Sequence, residues 1–149
     1  MSEDHRIEAG AEFTSAPYLL DAAAAEAYLR AIESPRRRQP ANIHNDQVAA
    51  QRAGFAAPIA AGEQSLAILA QLLADRFGMN FLRGGSFDIA FIKPVLFGDR
   101  LTAHCRIAGA GHKATTLEVW VTNQAGERVL AGTAAVAGDL PRGIPSDIQ

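Results

Sequence analysis

Apolar and polar positions along the chain change their spacing twice. Ala11 to Ala16 reads as a short strand, leading through Pro17 into an alanine-rich run from Asp21 to Ile32. There Tyr28, Leu29 and Ile32 give a helix one apolar side, and Asp21 is its N-cap. Ser34 and Pro35 stop that helix, and the stretch from Arg36 to Ile43, with Pro40 inside it, predicts a loop. Asp46 then caps a short helix from Gln47 to Ala53 that ends at Gly54. After the linker from Phe55 to Ile59, the run from Ala61 to Phe77 carries Leu66, Ile68, Leu69, Leu72, Leu73 and Phe77, with Ala67 and Ala70 between them. Apolar residues there face nearly every direction, which predicts a helix buried on all sides. At ~1.5 Å per residue it is roughly 25 Å long, too short to cross a bilayer.

From Ser86 the period becomes two. Ser86 to Ile92 places Phe87, Ile89 and Phe91 on one face and stops at Lys93 and Pro94. Arg100 to Ile107 alternates Leu101, Ala103, Cys105 and Ile107 with Arg100, Thr102, His104 and Arg106, the pattern of an antiparallel strand with one buried side. Lys113 to Thr122 points Leu117, Val119 and Val121 inward and Thr116, Glu118, Trp120 and Thr122 outward. Asn123 to Gly126 predicts a hairpin turn, and Arg128 to Ala137 a last strand of small and β-branched residues. The order is α+β, with four antiparallel strands after the long helix. A sheet of five strands at about 4.8 Å spacing is wide enough to wrap a helix of that length. An antiparallel sheet wrapped around one buried central helix is the hotdog fold. The outer strands of such a sheet leave an edge to be paired, so a homodimer or a dimer of dimers is expected.

Composition adds bounds and few specifics. The 149 residues are expected to form a single domain, with flexible ends at 1–10 and 140–149. A net charge of −2 gives no reason to expect a nucleic-acid partner, and no apolar stretch predicts a signal peptide or a membrane span. The single cysteine, Cys105, excludes an internal disulfide, fits a reducing cytoplasm and reads as core packing. Arg36, Arg37 and Arg38 form the one basic run, either a solvated turn or an anion clamp. His104 on the polar face of a strand and His112 in a turn are expected to face solvent, and the four histidines have no metal-ligand spacing. Ser65 reads as a small residue that allows close packing.

The residues around the long helix resemble a known family. His44-Asn45-Asp46, Ala50, Ala53-Gly54-Phe55, Pro58-Ile59-Ala60 and Gly62 look like the MaoC-like dehydratases and R-specific enoyl-CoA hydratases. So do Phe91-Ile92-Lys93-Pro94-Val95 and Gly98-Asp99. The resemblance runs from about Phe13 to about Val136 and implies an acyl-thioester hydratase or dehydratase acting at the 2,3 position. Coenzyme A or acyl carrier protein would be part of the substrate, with no separate cofactor. In that family a His and an Asp five residues before it, in a pattern close to Asp-x-Asn-Pro-Ile-His, exchange two protons with one water. An N–H at the start of the buried helix faces the thioester oxygen, where the helix dipole favours developing negative charge.

Carried onto this sequence, the imidazole is His44 and the helix-start glycine is Gly62, with Ala61, Asn42 and Glu63 as neighbouring substrate contacts. The position of the Asp holds Gln39, which can hold a water but cannot shuttle its proton. No carboxylate lies between Glu33 and Asp46 to replace it, and Asp46 is expected to act as a cap. Three readings stand. One is a hydratase or dehydratase with His44 as acid and base and Gln39 positioning water. Another is a hotdog thioesterase using Glu63. The last is a partner subunit that binds acyl thioesters without chemistry.

Overall fold

The computed structural model describes residues 9–32 and 40–138. In chain order its elements are β1 (Glu12–Thr14), β2 (Tyr18–Leu20), α1 (Ala22–Ile32), α2 (Gln47–Arg52), α3 (Gly62–Phe77), α4 (Met79–Gly84), β3 (Ser86–Phe91), β4 (Asp99–Ala110), β5 (Ala114–Thr122) and β6 (Arg128–Ala137). The sheet runs β1-β4-β5-β6-β3, entirely antiparallel, and β2 also pairs with β4. This is the expected hotdog layout, with α3 against the sheet.

The inward faces are those that the alternation predicts. Leu101, Ala103, Cys105 and Ile107 of β4 and Leu117, Val119 and Val121 of β5 are buried and pack with Leu69, Leu72, Leu73 and Phe77 of α3 in one core. Burying each leucine, isoleucine, valine or phenylalanine among them contributes about 1.5–3 kcal/mol. Both predicted caps form: Asp21 Oδ1 accepts from the Ala24 N–H at 2.8 Å, and Asp46 Oδ1 accepts from the Ala49 N–H at 2.7 Å. Replacing such a cap by alanine costs roughly 0.5–2 kcal/mol. Gly54 takes φ +92° behind α2, a conformation few other residues adopt.

Three expectations need correction. The strand expected from Ala11 to Ala16 is β1, but the chain does not pass from Pro17 straight into α1: a second short strand, β2, comes first, and both strands pair with β4. The chain does not stop being helical at Gly78 but turns there, at φ +52°, into α4. And α3 is not enclosed on all sides by this chain: Glu63, Ala67, Gln71 and Asp75, four residues apart, form an exposed stripe. Gln71 Nε2 and Asp75 Oδ1 bond along that stripe at 2.7 Å.

The outer face of the sheet is also more covered than alternation suggests. Trp120 points outward as expected, yet is only 6% exposed. The guanidinium groups of Arg106 and Arg128 lie 5.3 and 4.9 Å from its ring centroid, and His104 stacks on it at 5.1 Å. His104 is therefore half-buried and not solvent-facing, with Nε2 2.9 Å from Thr122 Oγ1. Burial pushes its pKa down, Glu12 opposes that and Arg128 adds to it. No helix of the described residues is long and apolar enough to cross a membrane.

Candidate active site

His44 sits in a turn that its own neighbours build. Asn42 Oδ1 accepts from the His44 N–H at 2.9 Å, and Asn45 Oδ1 accepts from the Asn42 N–H at 2.8 Å. The Asn42 carbonyl accepts from the N–H groups of Asn45 and Asp46 at 3.2 and 3.0 Å. Asparagine closes such turns because its amide reaches backbone a residue or two away. The Asn42 amide also donates to the Pro40 carbonyl at 3.1 Å, so this side chain organises the loop that carries the imidazole.

The half-buried imidazole is fixed from a second direction. Its Nδ1 lies 2.9 Å from the Ile59 carbonyl oxygen. A carbonyl only accepts, so Nδ1 carries the proton and Nε2 keeps its lone pair. Ile59 is held in turn: its N–H donates to the Ile43 carbonyl at 3.0 Å, and it bridges to Leu96. The Ala60 N–H donates to the Val95 carbonyl at 2.9 Å. Three residues after Ile59, α3 begins. One short segment thus ties together the histidine turn, the turn before β4 and the start of the central helix.

That helix start is open. Ala61, buried, is the N-cap; its carbonyl accepts from the Gln64 N–H at 3.0 Å, and no side chain caps the first turn, unlike α2. Uncapped N–H groups and the positive end of the dipole are left at this end. Gly62 packs under the ring of Phe91 from β3: a Cβ added there would lie 2.9 Å from Phe91 Cε1. Ser65 is buried for more than packing, since its hydroxyl donates to the Gly62 carbonyl at 2.7 Å.

Two clefts flank this region. A smaller one of about 400 Å³ is lined by His44, Asn45, Pro58 and Phe97 together with Ala25 and Glu26 of α1. A larger one of about 1350 Å³ lies between α1 and α3 and is closed on one side by β1 and β2. Tyr28 and Gln64 both line the larger cleft. Burial pushes the Tyr28 phenol up, and the carboxylate of Glu63 adds to this. Glu63 itself is exposed, on the Tyr28 side of the helix end.

His44 and Asn42 therefore share one turn, and Ala61, Gly62 and Glu63 share one helix end, joined through Ile59. Asp46 is committed to capping α2. Gln39 lies outside the described residues, as do Arg36, Arg37, Arg38 and most of the two chain ends. Three residues escaped the sequence reading. The Ile59 carbonyl and the Phe91 ring act through contacts that only the fold creates. Gln64, buried beside the larger cleft, had no distinguishing signal either, because Glu63, Gln71 and Asp75 are polar on the same helix. Cys105 is fully buried, and its thiol is pushed up to about 12 by burial, as befits a core residue.

The fold recurs among solved structures. The chain is 24% identical to an (R)-hydratase from A. caviae involved in PHA biosynthesis, with a TM-score of 0.66 over 92% of this chain and 99% of that one. It is 24% identical to a MaoC-like dehydratase from Rhodospirillum rubrum, with a TM-score of 0.70 over 93% and 96%. A 3R-hydroxyacyl-ACP dehydratase complex from Mycobacterium tuberculosis matches with 20% identity and a TM-score of 0.64, over 87% of this chain and 96% of that one. Curated protein sequences give no match. The sequence model described as the MaoC like domain matches residues 39–129, well over half of the chain and the whole stretch from the histidine turn through β5. The chain accordingly belongs to the MaoC-like domain family.

Proposed function

We propose that this protein is an acyl-thioester hydratase or dehydratase, adding or removing water at the 2,3 position of an acyl-CoA or acyl-carrier-protein thioester. The observation that carries the reading is the 2.9 Å contact of His44 Nδ1 with the Ile59 carbonyl. It leaves Nε2 basic and holds the imidazole to the segment that opens into the uncapped end of α3. In the hydration direction Nε2 takes a proton from water as the oxygen attacks carbon 3. Negative charge then grows on the thioester oxygen, where the first N–H groups of α3, that of Gly62 foremost, stabilise it. The imidazolium then returns that proton from Nε2 to carbon 2, which completes the addition. Gln39 holds the water by hydrogen bonds but cannot supply or remove its proton. Coenzyme A or the carrier protein enters as part of the substrate.

A homodimer fits the sheet. β3 is an edge strand, and beyond it Ile92 and Leu96 are exposed together with Phe91. An apolar edge of this kind is usually paired or covered.

The test is hydration of crotonyl-CoA, followed by loss of the enoyl absorbance. Turnover that falls about 10²- to 10⁴-fold in His44→Ala supports the reading. The partner-subunit reading also has an observation in its favour: Asp46, close to His44 in sequence, is engaged as a cap. Saturable acyl-CoA binding without turnover would select it. Thiol release that is lost in Glu63→Gln would select the thioesterase instead.

A further inference from the structure

The sequence around His44 carries no acid to work beside it, yet the fold brings a carboxylate there from another element. The smaller cleft, of about 400 Å³, is walled by the His44 turn with Pro58 and Phe97 and by α1, and Glu26 of α1 is the one acidic residue that lines it among the described residues. Other described carboxylates near this region are engaged elsewhere. Asp21 and Asp46 cap helices, Asp99 accepts from the Leu96 N–H at 2.9 Å, and Glu63 stands on the Tyr28 side of the α3 end. Glu26 is also held in place: the Arg30 guanidinium, one helical turn further on and lining the same cleft, pairs with its Oε1. Both side chains remain well exposed, so water reaches the carboxylate.

We infer that Glu26 is a catalytic residue of the hydration step, its carboxylate accepting a hydrogen bond from the water that His44 activates across the smaller cleft. The imidazole Nδ1 is engaged by the Ile59 carbonyl, so Nε2 is the nitrogen that works on this water. One hydrogen of the water goes to Nε2. The other stays on the oxygen, bonded to Glu26, while an oxygen lone pair forms the bond to carbon 3. Glu26 itself takes no proton, and the one held by Nε2 returns to carbon 2. The carboxylate also faces the imidazolium, a positive charge that exists only between the two transfers, so its stabilising effect is larger there than in the resting site. This assignment rests on the acyl-thioester reading above.

The test is crotonyl-CoA hydration by the whole protein, with kcat and KM measured separately. Glu26→Gln keeps the length and shape of the side chain. It is expected to lower kcat by about 10- to 150-fold, the range of a hydrogen bond to a charged group, with KM nearly unchanged. Glu26→Ala should lose as much, and added formate, a carboxylate small enough for the vacated space, should restore part of its turnover while doing nothing for His44→Ala. Arg30→Gln breaks the same ion pair but leaves the carboxylate, and should lose less than Glu26→Gln. A kcat in Glu26→Gln within about twofold of the wild type, a loss in Glu26→Ala that formate does not touch, or an equal loss in Arg30→Gln makes Glu26 a helix-surface ion pair only and overturns the assignment. The acyl-thioester reading survives any of these as long as His44→Ala abolishes the wild-type hydration. A wild type that does not hydrate crotonyl-CoA overturns that reading and this one together.

Discussion

Gly62 and Phe91 are packed so closely that a methyl group on the glycine would lie 2.9 Å from the phenylalanine ring. The ring therefore lies directly over the first turn of α3, where its N–H groups are presented. Gly62→Ala keeps the N–H and changes only this contact, so its effect reads out placement. A shift of about 1 Å at a catalytic group can cost on the order of 10²-fold. We expect kcat for crotonyl-CoA hydration to fall by about that factor in Gly62→Ala, and Phe91→Ala in the same chain to restore much of it by making room. Equal losses in the single and double variants would show that the ring is not the obstacle.

The departure at Gln39 predicts a gain. If His44 works with a glutamine where relatives carry an acid, the imidazole must serve both proton transfers alone, and about 10²- to 10⁴-fold of rate depends on the missing assistance. Gln39→Asp is expected to raise hydratase turnover at least tenfold, with His44→Ala in the same chain abolishing the gain. Crotonyl-CoA kinetics on the three variants check this. Unchanged turnover in Gln39→Asp would mean that residue 39 does not share a water with the imidazole.

Much of this fold can be read from the chain because several signals agree. Period-two alternation from Ser86 onward, side-chain caps at Asp21 and Asp46, and a long apolar run each point to elements found within a few residues of their expected limits. What stayed hidden was short or long-range. β2 has three residues, fewer than any periodicity needs, and α4 has six, the last of them Gly84, a poor helix former. Alternation assigned Trp120 to the correct face but could not show that two arginines and His104 would cover it. The exposed stripe of α3 was masked by Ala67, an apolar residue lying between Glu63 and Gln71. The contact of His44 with Ile59 spans fifteen residues and depends on both turns folding, so no local pattern announces it.

The edge strand supplies a stability prediction. Gly132 of β6 is paired with Ile89 of β3, and a Cβ there would lie 2.1 Å from the Asp88 carbonyl oxygen and 2.7 Å from the Ile89 Cα. Both obstacles are backbone, so no side chain can rotate away to relieve them. Gly132→Ala must spread β3 from β6 and should destabilise the protein by about 1–3 kcal/mol or more, in the range of overpacked cores. Urea unfolding should show a lower midpoint with a similar slope. An unchanged midpoint would mean that the two strands are further apart than described.

The stacked pair on the outer face predicts a pH dependence of stability. Burial against Trp120 and the nearby Arg128 hold the His104 pKa below its ordinary value of 6.5, with Glu12 opposing them in part. In the unfolded chain the imidazole titrates near that ordinary value, so between the two pKa values the unfolded state binds more protons. Stability therefore rises with pH across this window. The contribution is fully present above about 6.5 and is lost as the pH falls through the folded pKa. His104→Gln keeps a polar side chain able to reach Thr122 and removes the titration. Urea midpoints measured from about pH 8 to about pH 5, where histidine changes charge, should fall more steeply in the wild type than in the variant. Parallel profiles would assign the acid sensitivity to other groups.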